Sequence, residues 1–319
     1  MNISRRHVVH LCAGLTALPA MGRNWPARPV RLVVPFPPGS GTDVAARTLG
    51  QQLSGLLGQP FVIENKPGAG GSIGAMEVVR AAPDGYTLLF GSSSTMAANV
   101  SLLKSIPYDP VKDLTPVAGV ADSVTALVVR SNFPAKTPGE FAAYVRQRPG
   151  KLNAGYGSSS TQIALAALTQ VADLDVVSVP YRGTPLAVQA LLGGQIDFTF
   201  ADLGTIVAHT RAGTLKGLGI TTPRSSQMVD WPPIAQTWPA YDDITGWIAV
   251  AGPAGLASEI TDVLGRAVQT ALRAQEVRDR LASFGLSPMP LTPEQMRTFI
   301  PAEVAKWARL ARAANIQPE

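Results

Sequence analysis

Residues 32–43 read Leu-Val-Val-Pro-Phe-Pro-Pro-Gly-Ser-Gly-Thr-Asp. A β-branched run stops at Pro35, a tight loop follows, and an apolar-periodic segment begins at Val44. The order is strand, rigid loop, helix N-terminus. Prolines fix φ and lack an N–H, so they stiffen the loop and end the ladder. Glycines let the backbone turn to φ > 0 and approach a ligand closely. Thr42 or Asp43 is the expected N-cap. The first turn of a helix carries unpaired N–H groups and the positive end of its dipole, so the stretch reads as a preformed anion cradle. A capped turn with no ligand is the competing reading.

Outward from this stretch, strands are expected at Val30–Val34 and Phe61–Ile63, with a helix over 44–57 between them. That is a βαβ unit and favours a parallel sheet. Residues 64–74, Glu-Asn-Lys-Pro-Gly-Ala-Gly-Gly-Ser-Ile-Gly, open a helix whose apolar stripe is Ile73, Met76 and Val79. Its glycines miss the dinucleotide spacing by one position, which favours close helix-to-strand packing over ligand contact. Tyr86–Phe90 is a strand followed by Ser92, Ser93 and Ser94, a second strand-end loop of small donors. Thr137-Pro138-Gly139-Glu140 and Thr292-Pro293-Glu294-Gln295 are capping boxes. Strand Asn153–Tyr156 leads into Gly157, Ser158, Ser159, Ser160 and Thr161, then a helix over 162–171, repeating the opening pattern. Further strands are expected at Val124–Val129, Val176–Val179, Ile196–Phe200, Leu218–Thr221 and Trp247–Val250. Asp202 is expected to cap the helix that follows strand Ile196–Phe200. A helix from Ser258 carries a clean amphipathic stripe. The last helix is expected to break at Pro301.

The chain has 319 residues, 46% hydrophobic and 15% charged, enough for two lobes. Its net charge of +5 is spread out with no basic block, so nucleic acid is not an expected partner. Residues 1–22 have a basic start, Arg5-Arg6, and a short apolar run, the pattern of a cleaved export signal, with a weak twin-arginine match. The one cysteine, Cys12, lies inside it. The exported chain is therefore expected to have no disulfide, no thiol chemistry and one histidine, His209.

A serine hydrolase needs a base beside its nucleophile, and His209 on a helix is the one candidate. There is no G-x-S-x-G elbow and no His/Cys cluster at metal spacing. Hydroxyl-rich loops without a base suit binding, so the expectation is no catalytic residue, no metal and no cofactor.

The motifs VPFPPGSGTDVAAR (34–47), VIENKPGAGGSIGAMEV (62–78), PDGYTLLFG (83–91), PYDPVKDLTPV (107–117), PGKLNAGYGSSS (149–160), VPYRGTPLAVQALLGGQID (179–197) and GLGITTPRSS (217–226) span most of the chain. In that order the sequence resembles the substrate-binding proteins of tripartite tricarboxylate transporters, the Bug family of periplasmic receptors. The resemblance implies an α/β fold of the two-lobed type II periplasmic binding protein kind, a Venus flytrap in which each lobe is a mixed sheet flanked by helices. It implies a monomer in the periplasm that captures a small carboxylate and delivers it to two membrane permease subunits. It also implies that the carboxylate is held by main-chain amides, hydroxyls and waters of two facing loops. Carried over by position, those loops are Phe36, Pro38, Gly39, Ser40, Gly41, Thr42 and Asp43 on one side, and Gly157 to Thr161 on the other. Ser92, Ser93, Ser94, Tyr181, Arg182 and Asp202 would line the remainder. The chain departs from the family at Ser40, Gln162, Ala190 and Gln236, where Gly, His, Asp and Glu are common. The expected lobes are 23–124 with 246–319, and 125–245. Two other roles fit the residues: a sensory protein that presents ligand to a membrane kinase, and a secreted hydrolase using a cleft serine.

Overall fold

The computed structural model describes residues 25–222 and 229–318. The expected export signal, with Cys12, lies outside them, as do residues 223–228. Eleven strands form two mixed sheets among the described residues. In chain order they are β1 (Val30–Val34), β2 (Phe61–Asn65), β3 (Thr87–Ser92), β4 (Leu114–Ser123), β5 (Thr125–Arg130), β6 (Asn153–Tyr156), β7 (Val177–Pro180), β8 (Phe198–Asp202), β9 (Leu215–Ile220), β10 (Gly246–Pro253) and β11 (Leu286–Pro288). The first sheet has the order β11-β4-β10-β3-β1-β2 and the second β7-β6-β8-β5-β9.

The parallel part of each sheet comes from its strand–helix–strand units, as the alternating pattern dictates. β1 lies parallel to β2 and β3, and β6 lies parallel to β7 and β8. The antiparallel part comes from the strands that carry the chain between sheets. β4 and β10 pair antiparallel in the first sheet, and β5 pairs antiparallel with β8 and β9 in the second. Only Val124 separates β4 from β5, and the chain returns between β9 and β10. The two crossings are strapped together: Thr125 and Thr221 share a hydroxyl bond of 2.9 Å, and Thr221 Oγ1 donates to Ile244 O at 2.9 Å. Paired crossings between lobes are where a hinge absorbs its rotation.

The structure departs from the sequence expectations in places that have physical causes. Strand β4 was not expected; Pro116 and Gly119 interrupt its apolar residues. It survives because the β4–β10 pairing slips at two bulges, one of them beside Pro116, and a bulge tolerates a missing donor. The helix after residue 72 buries Ser72, Gly74, Ala75 and Val78, whereas Ile73 is exposed. Its small face is what lets it sit on β1: a Cβ at Gly74 would lie 2.9 Å from Lys66 O and 3.0 Å from Pro35 Cα. That is the close-packing role expected for this glycine run. Helix Pro293–Ala313 does not break at Pro301. Pro301 and Arg297, the residue whose carbonyl loses its partner, both face solvent, while Ile300 and Trp307 anchor the helix on either side.

Candidate functional site

The loops at the strand ends of the two sheets face one another across a small cavity. Phe36, Ser40, Gly41 and Thr42 reach it from the loop after β1, and Ser92, Ser93 and Ser94 from the end of β3. Ser158, Ser160, Thr184 and Asp202 reach it from the second sheet. Ser123 and the start of β10, Gly246 to Ile248, complete the wall. The cavity volume is about 40 Å³. That is room for ~3 waters, or a compact acid in their place.

The first loop is held rigid by Asp43. This carboxylate is nearly buried and accepts from Gly39 N–H (3.0 Å), Arg47 Nε (3.0 Å) and Asn65 Nδ2 (2.9 Å). Asn65, at the end of β2, also donates to Phe36 O at 3.0 Å. Burial pushes the Asp43 carboxyl up, but the bonds from Arg47, Gly39 and Asn65 outweigh it and hold the group below the usual carboxylate range. Gly39 turns the loop at φ +81, a conformation that favours glycine. The helix then begins at Gly41, earlier than expected, and its N-cap is Ser40, not Thr42 or Asp43. Asp43 is drawn into the clamp, which leaves Ser40 Oγ to accept from Asp43 N–H at 3.3 Å. Gly41 and Thr42 thereby present first-turn amides at the cavity.

The opposite loop repeats the device with a capping box. Ser158 Oγ accepts from Thr161 N–H (3.3 Å), and Thr161 Oγ1 accepts from Ser158 N–H (3.0 Å) and Gly157 N–H (3.0 Å). The helix accordingly starts at Ser159, three residues before the expected Gln162. Thr161 is fully buried and its hydroxyl is spent on the cap, so it supports the loop without reaching the cavity. A third helix begins at Thr184, whose approach depends on two glycines. A Cβ at Gly157 would lie 2.3 Å from Thr184 N, and one at Gly183 would lie 2.4 Å from Pro37 Cγ of the facing loop.

The sheets are in contact around the cavity. Ser159 N–H donates to Ser94 Oγ at 3.2 Å, and Ser159 Oγ donates to Asn99 Oδ1 at 2.7 Å. Ser123 Oγ, at the end of β4, donates to Asp202 Oδ1 at 3.3 Å, at the end of β8. Together with the Pro37–Gly183 contact, these bonds describe a closed conformation. Trp247 forms an apolar wall. Its indole N–H donates to Glu303 Oε2 at 2.7 Å, a carboxylate that also accepts from Trp307 Nε1 at 2.9 Å.

Of the other residues singled out in the sequence, Pro38, Gly39 and Arg182 are exposed, Tyr181 is half-buried, and none of them lines the cavity. Gly157 is a packing contact and Ser159 bridges the sheets. Asp202 holds the N-cap position of helix Leu203–Arg211 but makes no side-chain cap bond there, because its carboxylate turns to Ser123. His209 lies in the last turn of that helix, outside the cavity wall. Ser123, Thr184 and Gly246 to Ile248 escaped sequence reasoning. Thr184 carried a usable signal, a strand-end glycine followed by Thr-Pro at a helix start. Ser123 carried none, since it closes the strand that the sequence did not reveal.

Among the described residues no lysine, arginine or histidine lines this cavity. What it offers an anion is hydroxyls and the N-termini of three helices, Gly41–Leu57, Ser159–Val171 and Thr184–Leu192, whose first residues line it. The sequence profile described as tripartite tricarboxylate transporter family receptor, TctC, matches residues 45–316. The chain belongs to this receptor family. The receptor is 36% identical to protein BugT of Bordetella pertussis over 306 residues, covering 94% of this chain and 93% of BugT. Among solved structures it is similar to Rpa4515 of R. palustris with adipate, at 31% identity and TM-score 0.89, covering 92% of this chain and 100% of that one. It is also similar to MatC of Rhodopseudomonas palustris with bound malate, at 33% identity and TM-score 0.84, covering 90% of this chain and 99% of that one.

Proposed function

We propose that this receptor is an exported periplasmic protein that captures a compact carboxylate between its lobes and delivers it to the membrane permease subunits of a tripartite transporter. The observation that carries the reading is the cavity itself: hydroxyls and three helix N-termini converge on it, and among the described residues no basic side chain does. Preorganised donors of this kind neutralise a carboxylate without the desolvation cost of a buried cation. The adipate and malate of Rpa4515 and MatC support the ligand class.

In this reading one lobe comprises residues 23–124 with 246–319, the other 125–245, and residues 1–22 are removed on export. The receptor acts as a monomer. Ligand enters between parted lobes. Closure then brings the 158–160 loop and Asp202 onto the half-site made by residues 36–42 and 92–94, because facing loops cannot both reach a small anion in an open form. The test is a thermal-shift panel of small organic acids with their methyl esters and primary amides. Binding raises the folded state's stability by mass action, about 2.7 kcal/mol at a hundredfold excess over Kd. At least one acid is expected to stabilise the protein while its ester and amide do not. Equal stabilisation by acid and ester would overturn the reading.

A further inference from the structure

Asp202 is the one titratable side chain among the described residues that line the cavity. Its position is not explained by the helix that follows, since it makes no side-chain cap bond there. Asp202 is half-buried and lines the cavity, Ser123 Oγ donates to its carboxylate at 3.3 Å, and the Thr184 hydroxyl also acts on it. Burial pushes this carboxyl above its usual range, while those hydroxyls and its own backbone N–H act in the opposite direction.

This places an acid inside a site built for acids. A ligand carboxylate at the helix N-termini and an ionised Asp202 would share a small space with no cation of the described residues between them, and like charges there disfavour one another. The cavity is too small to keep a solvating water layer around both. A ligand that brings its own donor removes the conflict, because an ammonium or hydroxyl satisfies Asp202 while the carboxylate occupies the amides. A ligand without one leaves the cavity side of the Asp202 carboxylate facing an oxygen or a methylene, with only its Ser123 and Thr184 hydroxyls as partners.

Resting on the carboxylate-receptor reading, we propose that Asp202 is the specificity-determining residue: it selects compact carboxylates that carry a hydrogen-bond donor, an ammonium or a hydroxyl, over those of the same length that carry none. Malate, aspartate and succinate are a matched four-carbon series for the test, titrated calorimetrically into the full exported protein at neutral pH. Malate or aspartate is expected to bind at least about tenfold more tightly than succinate, the worth of one hydrogen bond to a charged group. In Asp202→Asn that ratio is expected to shrink to within about threefold, with succinate gaining, because the amide can donate as well as accept. If the donor is an ammonium, the aspartate arm falls more than the malate arm in this variant; if it is a hydroxyl, the two fall together. The wild-type ratio does not depend on how the variant folds, and a misfolded variant would lower all three arms alike. Succinate binding the wild type as tightly as both partners overturns the Asp202 assignment and leaves the receptor reading standing. An unchanged ratio in a folded Asp202→Asn does the same, while binding of no carboxylate by the wild type overturns both.

Discussion

Replacing Asp43 by alanine tests the claim that the first loop is preorganised. The side chain is 4% exposed and receives Gly39 N–H, Asn65 Nδ2 and Arg47. Arg47 is 53% exposed, so its ion pair is screened and contributes less than about 1 kcal/mol. The other two donors lose a charged acceptor in a partly buried place, about 1–2 kcal/mol each. The expected cost is therefore about 2–4 kcal/mol of unfolding free energy, against a typical total of about 5–15 kcal/mol, so the variant still folds. Urea denaturation followed by circular dichroism reads the loss as a lower midpoint at unchanged slope. Carboxylate affinity falls as well, since residues 36–42 must then be ordered at the moment of binding. A loss below about 1 kcal/mol together with wild-type affinity would refute the clamp, because hydrogen bonds to a charged, nearly buried group cannot be that weak.

The same residue sets an acid limb. Its folded pKa is depressed, so its stabilisation is present above the unfolded value of about 3.9 and is lost as pH falls through the folded one. Denaturation midpoints of the wild type should drop below about pH 4 more steeply than those of Asp43→Asn, and parallel curves would count against the assignment. Gly183→Ala places a methyl against Pro37 in the closed form, so carboxylate affinity should fall with little change in thermal stability; small-angle scattering should show the variant staying expanded at ligand concentrations that compact the wild type. Ser158→Ala should weaken carboxylate binding by about 1–3 kcal/mol, whereas Arg182→Ala, on an exposed side chain away from the cavity, should leave it within about 0.5 kcal/mol; titration showing the reverse would move the anion out of the cavity.

The parts of the fold that sequence reveals are those whose chemistry is local. β1, the helix after it and the Ser158 loop announce themselves because β-branched runs, proline, glycine and hydroxyl caps act within a few residues. The Thr292–Gln295 box formed as its spacing requires. β4 was hidden because its stability comes from partners, β10 on one side and β11 on the other, while Pro116 and Gly119 interrupt its own strand pattern. The first loop's N-cap was misplaced for a similar reason. Asp43 is a good cap in isolation, but Asn65 and Arg47 compete for its carboxylate, and Asn65 lies on a neighbouring strand 22 residues away. Hydroxyl-rich loops were legible as candidates, yet which hydroxyls reach the cavity and which are spent on caps is decided by three-dimensional pairing, as Thr161 and Ser160 show. Ser123 and Trp247 enter the wall because of where the sheets meet, and no local pattern encodes that.

The most direct measurement is a crystal structure of the receptor saturated with an acid that stabilises it in the thermal-shift panel. The account predicts one ligand carboxylate between the two sheets, its oxygens within about 3.2 Å of loop amides and of hydroxyls from both 40–42 or 92–94 and 158–160, with no Lys or Arg side chain touching it. A carboxylate paired with Arg182 or another basic side chain, or seated outside the space between the loops, would contradict it.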